Sequence, residues 1–269
     1  MPMVSVIVPT RNRRAFIVQL LRYFMRQTYP LHDMELIIVD DGEEPIEDLL
    51  LESGLYNPVR ESKNQIIYRH LDQPVTIGEK RNLLNDMARG DIIVAMDDDD
   101  WYSPYYVSEL VKALKTSNKL ICGSSRMNCY FTDLKAIVQL GPYAPDHTTN
   151  GFMAYKKSYL DNHRYSDGAV SGEEPYFTNN FTEPMIQIKN GTRLFLCISH
   201  SSNSYDRKQL LNIYGLQYRD GRPGIVETEK YRELERRGKA QVKATRLKLR
   251  DIIKIKEDRQ FYKNIDRVE

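Results

Sequence analysis

The chain carries four consecutive aspartates at residues 97–100, a density of carboxylates that could bind a metal ion. They directly follow an apolar, β-branched run of strand length at residues 92–96. Because like charges at a strand end repel one another, a divalent cation is their natural partner. A solvated acidic turn is the plainer alternative. A calcium loop fails on spacing, since Tyr102 and Ser103 stand where an oxygen ligand and a glycine are needed.

Strands and helices that alternate along the first hundred residues would position these carboxylates. We predict strands at 3–8, 35–39, 65–69 and 92–96, and helices at 14–27, at 78–87 and from Ser103, the latter residue acting as N-cap before Pro104. This alternation predicts an α/β fold with a mostly parallel central sheet flanked by helices. The second strand ends in Asp40-Asp41-Gly42, so two acidic strand ends should meet at one crevice.

The pattern changes after the helix that follows the aspartates. Shorter strands are predicted at 119–122, 127–131 and 134–140, with a hairpin turn at Thr132-Asp133. A polar loop at 141–151 is long enough to be a functional loop, and we interpret it as a lid over an acceptor. Further strands are predicted at 152–155, 185–188 and 193–198.

Charge and cysteine content limit the function classes. The formal net charge is +2, but residues 206–269 hold 18 Lys and Arg against 11 Asp and Glu, a balance of +7 that leaves −5 for residues 1–205. The three cysteines show no paired spacing, which favours reduced thiols without a zinc site. We find no signal peptide and no apolar run of the roughly 18 residues that a membrane span needs, so a cytoplasmic protein is expected.

Taken together, the motifs resemble the inverting nucleotide-sugar glycosyltransferases of family 2. The resemblance covers about residues 3–205 and implies the GT-A fold, with a small antiparallel sheet on the acceptor side. It divides the chain into a catalytic domain at 1–205 and a basic helical C-terminal extension at 206–269. The matching segments are residues 4–13 (VSVIVPTRNR), 38–42 (IVDDG), 78–82 (GEKRN), 97–100 (DDDD, before Pro104) and 172–174 (GEE).

The resemblance assigns the donor site. The resemblance implies that the nucleotide base is lined by Pro9, Thr10 and Arg11 and donates a hydrogen bond to Asp41. It also implies that Arg81 faces the diphosphate. A solvated helix arginine is the alternative for Arg81.

The aspartate run resembles the family's metal-binding element in two registrations. One uses Asp97 and Asp99 and the other uses Asp98 and Asp99, so Asp99 is the predicted ligand of Mn²⁺ or Mg²⁺ in both. The remaining aspartate would bind the ribose or a metal-bound water. His200 resembles a late metal-binding histidine of many GT-A enzymes, and an ordinary structural histidine is the alternative.

The resemblance places the general base in the Glu173-Glu174 pair. The family has Glu-Asp or a single Asp here, so the second glutamate departs from its pattern and leaves the choice between the two open. We favour Glu174, which stands where the aspartate would. Adjacent carboxylates often share a raised proton affinity, which is useful to a base near neutral pH. A solvated helix start is the alternative.

The basic C-terminal stretch has its own interpretation. Nine Lys and Arg against one acid over residues 236–256 predict a basic amphipathic helix that could lie on an anionic membrane. A helix packed on the catalytic domain is the alternative. Nucleic-acid binding is not expected, because interleaved aromatic residues are lacking.

The resemblance implies a metal-dependent, inverting glycosyltransferase that moves a sugar from a nucleotide-sugar donor to a hydroxyl of a glycan or of a lipid-linked or protein-linked acceptor. The expected donor is a UDP-sugar, the commonest donor in this family. One alternative is a catalytically degenerate nucleotide- or glycan-binding module. Another is a sugar-1-phosphate nucleotidyltransferase, which would need a glycine-rich signature after the first strand, where residues 9–13 contain no glycine.

Overall fold

The structure is a computed structural model that describes residues 1–57, 65–203, 205–219, 222–237 and 241–265. The chain forms two compact units. The first unit comprises Met1–Ser124 and Ala144–Lys189, and the second comprises Ser125–Tyr143 and Asn190–Glu269. The compact units therefore divide the chain differently from the predicted boundary at residue 205, since two earlier segments group with the C-terminal part.

Strands are numbered in chain order across both units. They are β1 (Val4–Thr10), β2 (Met34–Asp40), β3 (Ile66–His70), β4 (Ile92–Ala95), β5 (Trp101–Tyr102), β6 (Ile121–Gly123), β7 (Met127–Phe131), β8 (Ala136–Leu140), β9 (Met153–Lys156), β10 (Met185–Gln187), β11 (Phe195–Ser199), β12 (Leu216–Arg219), β13 (Arg222–Glu227) and β14 (Val242–Ala244).

The α-helices are numbered in the same way. They are α1 (Arg14–Met25), α2 (Glu47–Glu52), α3 (Ile77–Met87), α4 (Tyr106–Lys115), α5 (Glu174–Phe177), α6 (Gly191–Leu194), α7 (Lys208–Ile213), α8 (Glu229–Arg236), α9 (Leu249–Ile252) and α10 (Lys256–Asn264). Short 3-10 helices occupy Leu31–Asp33, Asn150–Phe152 and Lys157–Asp161.

A seven-stranded, mostly parallel sheet forms the centre of the first unit, which confirms the predicted α/β fold. Its strand order is β10-β6-β9-β4-β1-β2-β3. β1 pairs in parallel with β2 and β4, and β2 with β3, whereas β9 runs antiparallel to β4 and β6. Every residue of β1, β2 and β4 is buried, as expected for apolar, β-branched strands covered on both faces. Consequently the chain segments that follow β1, β2 and β4 leave the sheet at one edge.

The predicted helices α1 and α4 are present in the first unit, but their first or last residues differ from the prediction. α1 buries Phe16, Leu20 and Phe24 at the predicted helical spacing, and it ends at Met25 rather than residue 27. The predicted start of α4 at Ser103 is wrong, because a turn intervenes. The Ser103 carbonyl accepts a hydrogen bond from the Tyr106 N–H at 3.0 Å, and the first helical residue is Tyr106.

The second unit contains the smaller sheet. Four of its strands lie in the order β14-β8-β7-β11, with β7 antiparallel to β8, β8 antiparallel to β14, and β11 parallel to β7. The β7-β8 pair confirms the predicted hairpin around Thr132-Asp133. β12 and β13 form a separate antiparallel hairpin.

The basic C-terminal stretch is only partly helical. α8, α9 and α10 are helices, but Val242–Ala244 is a strand that pairs with β8 in the middle of the predicted basic helix. A single helix over residues 236–256 is therefore wrong, and Lys239 of that stretch lies outside the described residues. Strand pairing overrides helix propensity here, since β8 offers hydrogen-bond partners that propensity does not take into account. Within the described ranges, no helix is long and apolar enough to cross a membrane.

Candidate functional site

The aspartate run leaves β4 and contacts the end of the neighbouring strand β1. The Thr10 hydroxyl donates to Asp98 Oδ2 at 2.5 Å, and both residues are buried. The Asp97 N–H donates to the hydroxyl of Tyr102 at 2.6 Å, which fixes the backbone where the run begins. Parallel pairing of β1 with β4 explains this contact, because it brings the two strand ends side by side.

Burial makes the negative charges of this run costly. Desolvation, and next the charge of Asp99, raise the pKa of Asp98 to about 8. The pKa of Asp97 is also raised, chiefly by burial, with the Arg81 guanidinium opposing that effect. Asp99 forms a long ion pair, 4.0 Å from Arg13 Nη2. A bound cation would stabilise the ionised form of these carboxylates and so offset the cost of burying them.

The residues of the aspartate run fit a divalent metal that takes one or two protein carboxylates. In the described part of the chain no group of three or more His, Cys, Asp and Glu side chains is arranged to hold a metal ion. Mg²⁺ is usually bound by one or two carboxylates, with substrate phosphates and water completing its shell. Asp99 and a neighbouring aspartate would supply those carboxylates.

Lys80 on α3 connects the ends of β1 and β2. Its ammonium group forms a buried ion pair with Asp41 Oδ1 and donates to the Thr10 carbonyl at 2.9 Å. Asp41 Oδ2 accepts from the Val75 N–H at 2.9 Å. Burial lowers the pKa of Lys80, although Asp41 acts in the opposite direction. Both oxygens of Asp41 therefore already have partners within the protein.

Arg81, the next residue of α3, joins the aspartate run to the glutamate pair. Its Nε donates to Glu173 Oε1 at 2.7 Å, and its Nη2 donates to Asp97 Oδ1 at 3.2 Å. Burial lowers its pKa, but the two carboxylates more than offset this and hold the pKa above the usual range. Among the described residues the buried Nη1 has no hydrogen-bond partner. The two N–H groups of Nη1 are therefore unpartnered within the described part of the protein.

The two glutamates differ in environment. Glu173 is 6% exposed, and its Oε1 accepts from both Arg81 and the Asn150 side chain, the latter at 2.8 Å. Glu174 is half-buried, and its Oε1 accepts from the Asn150 N–H at 3.2 Å. Burial, and next the charge of Glu173, raise the pKa of Glu174. Gly172 precedes the pair with a φ of +61°, a conformation that favours glycine.

The remaining predicted residues lie in two different places. Pro9 is buried within β1, and Arg11 is exposed just after it. His200 follows β11 in the second unit, where its ring nitrogens hydrogen-bond Ser202 and Asn203, each at 3.0 Å. The first unit thus brings together Thr10, Asp41, Arg81, the aspartate run and the glutamate pair. The metal role of His200 stays a prediction.

No role was predicted from the sequence for three residues of this network. Lys80 lies in the GEKRN segment at a predicted helix start, beside Arg81, but only Arg81 was assigned a role. Asn150 lay within the predicted functional loop, among many other polar residues. Tyr165, whose hydroxyl donates to Asn150 Oδ1 at 2.6 Å, follows no motif and gave no signal.

Comparisons with known proteins agree with this geometry. The model of glycosyl transferase family 2 matches residues 5–167. The GalNAc(5)-diNAcBac-PP-undecaprenol beta-1,3-glucosyltransferase of Campylobacter jejuni (serotype O:2) is 23% identical over 218 residues, which cover 72% of this chain and 65% of that protein.

Two solved structures share the fold. TarS 1-349 of S. aureus in complex with UDP-GlcNAc has a TM-score of 0.56 at 16% identity, covering 75% of this chain and 60% of that one. The mannosyltransferase PcManGT from Pyrobaculum calidifontis, in complex with GDP-Man and Mn²⁺, has a TM-score of 0.55 at 16% identity, covering 80% and 61%. The chain thus spans less than two thirds of the length of each of these relatives. Since the family model matches more than half of the chain, and the fold and motif order agree with it, the chain belongs to glycosyl transferase family 2.

Proposed function

We propose that the protein is a metal-dependent, inverting glycosyltransferase that moves a sugar from a nucleotide-sugar donor to an acceptor hydroxyl, with the catalytic chemistry in the first unit. One observation carries this proposal. A single buried guanidinium, that of Arg81, contacts both Asp97 of the aspartate run and Glu173 of the glutamate pair. The two acidic motifs, which lie far apart in sequence, are thereby held in one site.

The different environments of the two glutamates support Glu174 as the general base. Glu173 Oε1 is committed to Arg81 and Asn150, so this carboxylate holds the site together. Glu174 is more accessible and has a raised pKa, which strengthens it as a proton acceptor.

In the proposed reaction, one proton moves to Glu174 while one bond forms and one bond breaks at the anomeric carbon. Glu174 takes the proton of the acceptor hydroxyl, and the acceptor oxygen forms a bond to the anomeric carbon from the face opposite the nucleotide. The bond between the anomeric carbon and the phosphate oxygen breaks, and the nucleoside diphosphate leaves with the electron pair. Attack from the opposite face inverts the anomeric configuration.

Donor binding is assigned to the strand ends and α3. We infer that Pro9, Thr10, Arg11 and Asp41 line the nucleotide, and the unpartnered Arg81 Nη1 supports a contact of this side chain with the diphosphate. Because both oxygens of Asp41 are occupied, a bond from the base to Asp41 would use a further lone pair.

Asp99, together with Asp97 or Asp98, is the proposed carboxylate set for Mn²⁺ or Mg²⁺. When bound, such an ion would neutralise negative charge that develops on the departing diphosphate. The raised proton affinity of the buried aspartates is the observation that agrees with a cation there.

UDP-sugars are the proposed donors, and a lipid-linked or other glycan is the proposed acceptor. A TarS structure holds UDP-GlcNAc, and the Campylobacter relative is named for an undecaprenol-linked substrate. The basic residues of 206–269 would favour contact with an anionic membrane from the cytoplasmic side, since each Lys or Arg near such a surface adds attraction.

Turnover with a donor panel tests the proposal. The purified protein is incubated with UDP-, GDP- and dTDP-sugars and Mn²⁺, with glycan acceptors, and nucleotide release and product configuration are measured. We expect release with one nucleotide series, an inverted product, and loss of turnover in Glu174→Gln and Asp99→Asn. A retained configuration would contradict the mechanism, and binding without any turnover would favour a degenerate binding module.

A further inference from the structure

The buried turn at Asn150 contacts both glutamates of the candidate site. Its side-chain Nδ2 donates to Glu173 Oε1 at 2.8 Å, and its backbone N–H donates to Glu174 Oε1 at 3.2 Å. Asn150 is 2% exposed and begins the 3-10 helix Asn150–Phe152. A neutral residue with two donors can hold two like-charged carboxylates near each other without adding a charge of its own.

Tyr165 determines which end of the Asn150 amide faces Glu173. The Tyr165 hydroxyl donates to Asn150 Oδ1 at 2.6 Å, so the amide nitrogen is left to point at the glutamate. A flipped amide would place Oδ1 against Glu173 Oε1, which is acceptor against acceptor. A single buried hydroxyl therefore selects the productive amide orientation.

The framework around Tyr165 leaves it little freedom. Its backbone N–H and carbonyl both bond to the Asn82 side chain on α3, at 3.0 and 2.9 Å. Its ring stacks on that of Phe177, with centroids 4.1 Å apart and planes 5° apart. Since Phe177 ends the helix that begins with Glu174, Tyr165 contacts the base-bearing helix and the Asn150 turn together.

The other side of the turn is equally well held. The carbonyl of Gly151 accepts hydrogen bonds from the hydroxyls of Tyr102 (3.0 Å) and Tyr106 (3.2 Å). The Tyr102 hydroxyl also accepts a hydrogen bond from the Asp97 N–H of the aspartate run. The position of Asn150 is thus fixed from the metal side of the site as well as from the base side.

We propose that Asn150 is a positioning residue that holds the glutamate pair, with its backbone N–H aiming the Glu174 carboxylate at the acceptor hydroxyl and its side-chain amide fixing Glu173. The Tyr165 hydroxyl keeps that amide in the orientation that the bond to Glu173 requires. The inference rests on the proposed function and names two residues that no motif predicted. Neither side chain needs to touch the substrate.

Tyr165→Phe is the discriminating variant, because it removes the hydroxyl and keeps the stacked ring. Loss of one buried hydrogen bond that orients a catalytic group should lower kcat by about tenfold. The dissociation constant of the free nucleotide diphosphate with Mn²⁺ should change less than kcat, since the amide acts on the aspartate run only indirectly, through Glu173 and Arg81.

Tyr159→Phe is the matched control. Tyr159 is buried in the same core cluster, and its hydroxyl donates to the Phe177 carbonyl at 2.9 Å rather than to Asn150. Both variants should lower the melting temperature by similar amounts, and only Tyr165→Phe should lower kcat strongly. Equal kcat values for the two variants would overturn the proposal.

Asn150→Asp gives a second readout, the pH dependence of kcat. The groups acting on Glu174 include the charges of Glu173 and Arg81, the Tyr165 hydroxyl and the Asn150 backbone N–H, and a new carboxylate beside Glu173 adds negative charge to that set. The acid limb of the kcat profile should therefore move to higher pH. An unchanged limb in a folded variant would contradict positioning through Asn150.

Failure of the two proposals is distinguishable. If the wild-type protein transfers no sugar from any donor, the proposed function fails. If the wild type transfers sugar and Tyr165→Phe behaves like Tyr159→Phe, only the positioning role fails.

Discussion

Arg81→Lys separates the buried bridge from the simple presence of a positive charge. Arginine uses two nitrogens, 2.7 Å from Glu173 and 3.2 Å from Asp97, whereas a lysine ammonium is a point donor on a flexible stem. The lysine can form an ion pair with either Glu173 or Asp97, and the other carboxylate then has no cationic partner from residue 81.

The magnitude follows from those two contacts. A hydrogen bond to a charged group contributes about 1.5 to 3 kcal/mol, so losing one should destabilise the protein by about 2 kcal/mol. For a chain of this size that corresponds to a fall in melting temperature of about 4 to 8 °C. Misplacement of the aspartate run relative to the base should also reduce kcat/KM by about a hundredfold.

Arg89→Lys is the matched control for both measurements. Arg89 also pairs with a buried glutamate, Glu35, with its Nε at 2.7 Å from Oε2, but this pair lies at the opposite end of the parallel strands. We expect Arg89→Lys to lower the melting temperature and to leave kcat/KM unchanged. The reasoning would be refuted if both variants lost activity in proportion to their loss of stability, or if Arg81→Lys kept full activity.

Three further substitutions test individual parts of the structure. Glu174→Gln removes a carboxylate whose pKa is raised in the folded state. Ionisation of such a group destabilises the fold as pH rises, so the variant should melt no lower than the wild type at pH 8 and should lose any advantage in melting temperature below about pH 4.3. It should also show no turnover. A marked loss of stability at pH 8 would contradict the raised pKa of Glu174. Gly78→Ala should destabilise the protein by about 1 to 3 kcal/mol in denaturant melts, because its Cβ would lie 1.9 Å from the Ser166 carbonyl oxygen, while Gly168→Ala, which meets nothing within 4 Å, should have little effect. Lys135→Gly should stabilise the β7-β8 hairpin by up to about 1 kcal/mol, since Lys135 has a φ of +49°, and a loss of stability would contradict that strain.

The sequence was most informative where a buried strand ends. The apolar runs of β1, β2 and β4 form parallel strands, so the residues that follow them lie at the same edge of the sheet. The strand ends predicted the convergence of Asp41 and the aspartate run, whereas Thr10 was assigned to the nucleotide by the resemblance to the family. Because four aspartates are consecutive, the metal-binding pattern fits them in two registrations, and the sequence leaves the choice between Asp97 and Asp98 open.

Contacts across long sequence separations were not predictable. Arg81 and Glu173 lie 92 positions apart, and Tyr165 and Asn82 lie 83 apart. Their pairing depends on how the 165–169 loop passes over the start of α3, where Gly78 allows a close backbone approach. The basic stretch shows the same limitation, since pairing of β14 with β8 decides the conformation of residues that favour helix by composition.

The central claim is that the aspartate run and its metal bind a nucleotide, and ligand-dependent melting tests it most directly. A nucleoside diphosphate at a hundred times its dissociation constant should stabilise the protein by about 2.7 kcal/mol, or about 5 to 10 °C. We predict this shift with one nucleotide series when Mn²⁺ or Mg²⁺ is present, its loss with EDTA, and its loss in Asp99→Asn. An absence of any shift with every nucleotide and metal, or an equal shift in Asp99→Asn, would contradict the account.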